Sequence, residues 1–169
     1  GGTINVTGSA NTLTTTTGTA LNVANTTIGS SGLTFRSISV NGAAKGIVLD
    51  TTGSTAGLTV TGNGGTCTTG NTTGCSGGEI RSTTGADDSG ATPAGTGIVL
   101  RSTKAPSFTR MYIHDHSNYG IRGTAVDGFT LDSSVVSGVN GSNAASPYND
   151  ASIAFDNLTG SATISNSAI

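Results

Sequence analysis

Gly46-Ile47-Val48-Leu49-Asp50 and its near twin Gly97-Ile98-Val99-Leu100-Arg101 are the stretches on which the fold turns. Each is a short apolar run closed by a charged residue. Each is followed by a turn and then by a longer stretch in which hydrophobic residues stand two, three and two apart. About five loose copies of this unit run along the chain, and a repeat of this kind means that one copy cannot bury its apolar face alone and must stack on its neighbours. The short runs are Ala20 to Ala24, Gly46 to Asp50, Gly97 to Arg101, Gly120 to Thr124 and Ser152 to Asp156.

The long halves align by eye. They offer Leu33, Phe35, Ile38 and Val40; Pro106, Phe108, Met111 and Ile113; Phe129, Leu131, Ser134 and Val136; and Ala162, Ile164, Ser167 and Ile169 as inward positions. A spacing of two is the strand period, and the central step of three needs a bend that keeps both short strands facing one core. Another copy supplies Leu58 and Val60, then Ile80 after an excursion through the cysteines. Parallel strands ordinarily require long crossovers, and the linkers here are rich in Gly, Thr and Asn, which favour turns over helices. The expectation is therefore an all-β, single-stranded solenoid, a parallel β-helix of about five coils with about three short strands in each.

The domain plan that follows is a single unit over 1–169, with 1–19 as a partial N-terminal coil and insertions at about 62–77, 86–96 and 139–151 that fall between strands. The chain has 169 residues with 27 Gly, 3 Pro and no Trp, and only 9% of it is charged, against about 25% in typical domains. Its formal net charge of −2 offers no basic stripe for nucleic acid. No apolar run is long enough to cross a membrane as a helix. The chain starts and stops at a similar phase of the coil, so either a longer β-helix continues it or separate copies stack end to end.

Cys67 and Cys75, the only cysteines, flank Thr-Thr-Gly-Asn-Thr-Thr-Gly in a turn-rich loop. An even count in such a chain reads as one local disulfide and an oxidising compartment, with two free thiols as the alternative. A zinc site would need further ligands that the loop lacks.

The stretches Gly32-Leu-Thr-Phe-Arg-Ser-Ile-Ser-Val-Asn-Gly42, Gly46-Ile-Val-Leu-Asp50 and Asp127-Gly-Phe-Thr-Leu-Asp-Ser-Ser-Val-Val-Ser-Gly138 resemble the Gly/Thr/Ser/Asn-rich repeats of right-handed parallel β-helix proteins of bacterial surfaces, such as secreted adhesins and autotransporter passengers. The resemblance runs from about Ala20 and implies a right-handed winding, in line with the crossover rule. It also implies an extracellular or cell-surface setting and a role as stalk, adhesin segment or filament subunit. Enzymes share such scaffolds, so a carbohydrate-binding or polysaccharide-degrading role is the alternative.

The most chemically loaded stretch is Arg110-Met-Tyr-Ile-His-Asp-His-Ser-Asn-Tyr119. Tyr112, His114, Asp115, His116 and Tyr119 are the candidate ligand-binding residues, with surface glycans as the ligand class. With Met111 and Ile113 inward, Arg110, Tyr112 and His114 share the outer face. His114, Asp115 and His116 are metal-ligating types, but Arg81 aligns beside His114, so no metal is expected there. Asp87 and Asp88 lack the spacing of a calcium loop. Asp50 and Arg101 align as an inter-coil salt bridge, with Asp156 at the same place in the last copy and Gly123 between them. No neighbouring pair of acids appears, so no catalytic residue and no cofactor is assigned, and the question of enzymatic activity stays open.

Overall fold

The computed structural model describes residues 1–141 and 150–169. Among these residues the chain is all-β: β1 (Thr3–Val6), β2 (Thr12–Thr15), β3 (Leu21–Ala24), β4 (Thr27–Phe35), β5 (Ser37–Asn41), β6 (Lys45–Asp50), β7 (Leu58–Val60), β8 (Gly78–Arg81), β9 (Thr96–Lys104), β10 (Ser107–Thr109), β11 (Met111–His116), β12 (Tyr119–Asp132), β13 (Val135–Asn140) and β14 (Ala151–Ser165). One 3-10 turn, Thr72–Gly74, lies in the cysteine loop.

Every pairing between these strands is parallel, and like residues sit over like. Ile47 pairs with Ile98, and Leu49 with Leu100. Phe108 pairs with Val60 on one side and Leu131 on the other. Val40 pairs with Ile80, Ile80 with Ile113, and Ile113 with Val136. These rungs form one continuous aliphatic core, and the Phe108 and Phe129 rings lie 6.3 Å apart within it.

The expected single-stranded β-helix of three short strands per coil is corrected by the sheet arrangement. The strands form two parallel sheets. One has nine strands, along the path β1-β4-β7-β10-β12-β9-β6-β3 with β14 beside β12, and this path curls as a half-barrel; the other has five, in the order β13-β11-β8-β5-β2. The physical reason is continuity through the bends. Gly120 to Thr124 and Phe129 to Leu131, read as separate strands, belong to one 14-residue strand, β12. Its first part pairs with β9 and its last part with β10, so two sets of strands become one sheet. In the same way β14 runs unbroken for 15 residues along β12.

Single residues in the left-handed region make these bends. Asn25, Thr51, Ser102, Ala125 and Asn157 have φ between 46° and 60°, and each follows the rung Ala24–Asp50–Arg101–Thr124–Asp156. Arg110, Ser133 and Asn166 do the same after Thr109, Asp132 and Ser165, and they occupy the central step of three in the hydrophobic spacing. One such residue turns the chain without ending the ladder, since Thr51 N–H donates to the Arg101 carbonyl at 2.9 Å and Arg110 N–H to the Asp132 carbonyl at 3.0 Å. A non-glycine residue there costs about 1–2 kcal/mol, which the rungs on either side must offset.

Two details of the sequence reading change. Thr124, not Gly123, pairs with Arg101, because Gly123 stands opposite Leu100. In the last copy Ala162 and Ile164 (49%) are exposed because β14 has a partner strand on one side only, and Ile169 (63%), beyond the end of β14, is exposed as well. Buried Ser134 keeps its inward place by accepting from Met111 N–H and donating to the Asp132 carbonyl.

The excursions sit between strands. Residues 61–77 separate β7 from β8. Residues 82–95 separate β8 from β9, where the buried Asn118 amide donates to the carbonyls of Ala86 and Ala94 at 2.7 and 2.6 Å. Of the insertion expected at 139–151, residues 142–149, with Pro147 and Tyr148, lie outside the described residues.

Candidate functional site

Tyr112 and His114, two apart on β11, project from the outer face of the five-stranded sheet, and the parallel register sets Glu79 of β8 beside Tyr112 and Arg81 beside His114. The His114 ring, its side chain only 10% exposed, stacks on Tyr112 at 4.0 Å between centroids and 18° between planes. Its Nδ1 lies 2.6 Å from Asp115 Oδ2 and its Nε2 3.0 Å from Glu79 Oε1. Two carboxylates around one imidazole are both met by donors only when the ring carries both protons. Arg81 Nε approaches the other Glu79 oxygen at 3.4 Å.

Asp115 occupies the left-handed region (φ 57°), and its second carboxylate oxygen accepts from Val139 N–H at 3.1 Å. The hydrogen bond with His114, and after it the one from Val139, holds its carboxyl below the usual carboxylate range.

The five sequence candidates do not form one site. Tyr112, His114 and Asp115 stand together on the outer face. His116 is 2% exposed, and its Nδ1 lies 2.7 Å from the Thr83 hydroxyl. Its Nε2 has no hydrogen-bond partner among the described residues. Burial, and next the His114 charge, push its pKa down to about 4. Tyr119, also 2% exposed, carries the Arg122 guanidinium 5.7 Å from its ring centroid, and burial raises its phenol. Tyr119 thus lies buried, apart from the outer-face group of Tyr112, His114 and Asp115.

The room for His116 comes from the glycine that opens the Gly-Ile-Val-Leu motif. A Cβ on Gly97 would lie 2.7 Å from both His116 Nε2 and the Gly120 carbonyl oxygen. The equivalent Gly46 is hemmed in by the Gly97 carbonyl at 2.5 Å in the same sense.

Glu79 was missed in the sequence because the cysteine excursion separates β8 from the clearer part of its copy. That excursion folds back over the sheet. Cys67 and Cys75 form a disulfide, both are buried, and they pack with Val135 and Tyr112. Between this loop and the sheet runs a groove of about 390 Å³ lined by Ser39, Thr72, Thr73, Cys75, Glu79 and Tyr112. A second hollow, about 360 Å³, is lined by Ser82, Thr83, Asp115, His116, Ser117 and Val139.

Elsewhere Arg101 Nη1 sits 2.9 Å from Asp50 Oδ1, and Lys104 Nζ 3.1 Å from Asp127 Oδ2. Among the described residues no cluster of three or more His, Cys, Asp or Glu is placed to hold a metal, and no helix is long and apolar enough to cross a membrane. No family model matches the chain, and no curated protein or solved structure matches it.

Proposed function

We propose that this chain is an extracellular structural module, a stalk, adhesin segment or filament subunit, that grows by adding parallel strands at its open edges. The carrying observation is that both ends of the strand ladder are apolar and largely unpaired. At one end β1, β2 and β3 each have a partner on one side only, and Ile4, Val6, Leu13 and Leu21 are half-buried there. At the other, β14 is likewise one-sided, and β13 meets beyond β11 a single parallel bridge, Val135 with Ala168; Ile153, Phe155 and Leu158 are half-buried there and Ile164 and Ile169 exposed. Such edges are templates for further strands. The two edges are unlike surfaces, so each suits either further parallel strands of a longer chain or the opposite edge of a second copy, the latter a head-to-tail contact that does not close on itself. The disulfide supports secretion, since such bonds persist in oxidising compartments. The engagement of the Glu79 carboxylate by His114 and Arg81 favours a structural over a catalytic reading.

Size-exclusion chromatography from micromolar to near-millimolar concentration, with electron microscopy of the same samples, tests this. The expected result is concentration-dependent linear assembly that Ile164→Lys abolishes while its circular dichroism stays that of the parent. A monomer at every concentration, or assembly unchanged by Ile164→Lys, overturns it.

A further inference from the structure

We infer that the groove between the disulfide loop and the five-stranded sheet binds a neutral, hydroxyl-rich ligand, a saccharide unit, with Tyr112 and Glu79 as its principal contacts. This is independent of edge-to-edge growth, since the groove lies on the outer face of the sheet and not at its edges.

The walls are held rigidly on both sides. The disulfide anchors the loop, and Cys67 Sγ lies 3.5 Å from the Met111 carbonyl oxygen, so the loop is fixed against β11 itself. The 3-10 turn Thr72–Gly74 then sets Thr72 and Thr73 at the rim. On the sheet side the Tyr112 ring is locked by its stack on His114 at 4.0 Å. An aromatic ring fixed in place presents apolar area with little loss of conformational entropy on binding, and its phenol adds a polar handle.

The polar groups converge from three segments. Ser39 contributes a hydroxyl that accepts from Glu79 N–H at 3.3 Å, and Thr73 Oγ1 is oriented by donating to Asn71 Oδ1 at 2.9 Å. Glu79 is half exposed, and its carboxylate, oriented by the His114 ring at 3.0 Å with Arg81 Nε 3.4 Å from the other oxygen, can accept hydrogen bonds from sugar hydroxyls without a free cation being needed. Among the described residues no Lys or Arg lines the groove, which turns away phosphorylated and acidic ligands. Its volume of about 390 Å³ is at the small end of ligand sites, which run from about 300 to 1,000 Å³, and suits one or two sugar rings. Among the described residues Glu79 is the one carboxylate in the lining, whereas glycoside hydrolysis calls for two, so we assign the site to binding without cleavage.

The test is ligand-observed NMR titration of the full chain with glucose, galactose, mannose and N-acetylglucosamine, their β-linked disaccharides, and glucuronic acid as the acidic probe. Saturable binding of at least one neutral sugar is expected, weakened about tenfold or more in Tyr112→Ala and Glu79→Gln. Thr73→Glu, on an exposed rim residue where folding is not at stake, should also abolish it by blocking the groove and adding charge. Lys104→Gln, remote from the groove, should leave it unchanged. Absence of saturable binding by every neutral sugar, preference for glucuronic acid, or binding that survives Thr73→Glu each overturns the assignment.

Discussion

Acidification should weaken this fold through His116, beginning as pH falls below about 6.5. The buried ring has a pKa of about 4 where the unfolded chain has 6.5. Because the folded value is the lower one, the unfolded state takes up the proton first as pH falls. The stability that His116 allows is therefore full above about pH 6.5, declines between about 6.5 and 4, and levels off below. Each tenfold difference in proton affinity between the folded and unfolded chain corresponds to about 1.4 kcal/mol, so the loss approaches about 2 kcal/mol at pH 5 and about 3 kcal/mol at the bottom of the window. The Asp115 charge and the Ile80 backbone favour the protonated ring, but burial and the His114 charge outweigh them.

The assay is urea unfolding by circular dichroism at closely spaced pH values, with His116→Asn beside the parent. Asn retains a partner for the Thr83 hydroxyl and does not titrate. It should cost a fixed amount at neutral pH, and the gap between the two proteins should narrow on acidification. At a slope of about 2 kcal/mol per molar urea, the parent midpoint should fall about 1 M more than that of the variant between pH 7.5 and 5. Asp115 and Asp132 are both held below the usual carboxylate range, so the stability they bring is lost only at still lower pH and does not mimic this window. A parent-to-variant gap that stays constant from pH 7.5 to 4.5 refutes the reasoning.

Gly97→Ala should destabilise by about 1–3 kcal/mol, since the new methyl meets His116 and the Gly120 carbonyl; thermal unfolding reads this, and combination with His116→Asn should cost less than the two changes summed. Ala125→Gly, at an exposed bend with φ 53°, should raise stability by about 0.5–1 kcal/mol in the same assay, while a loss would show that the bend carries no strain. A double-mutant cycle of Asp50→Ala and Arg101→Ala should give a coupling of at most about 1 kcal/mol that fades in molar salt, because the Arg101 side chain is 45% exposed.

The core was legible in the sequence because it follows a period of two. Leu33, Phe35, Ile38 and Val40, and likewise Phe108, Met111 and Ile113, are buried as the alternation requires. The candidate site was only half legible. Alternation from Ile113 places His114 outward and would place His116 outward as well. The left-handed residue between them, Asp115, reverses the phase and sends His116 into the core. Glu79 is 35 positions from His114, and only the pairing of β8 with β11 brings it there.

Composition and spacing by themselves determined that the chain is all-β, parallel and aliphatic-cored, because strand periodicity and the absence of helical crossovers are local properties. The number of sheets was decided in three dimensions. Whether a bend ends a strand or merely turns it depends on hydrogen bonds to the layers above and below, and single residues at Ala125 and Asn157 keep those bonds while changing direction. The same long-range pairing gathered Glu79, Tyr112 and the disulfide loop around one groove, an arrangement that no local stretch of this sequence encodes.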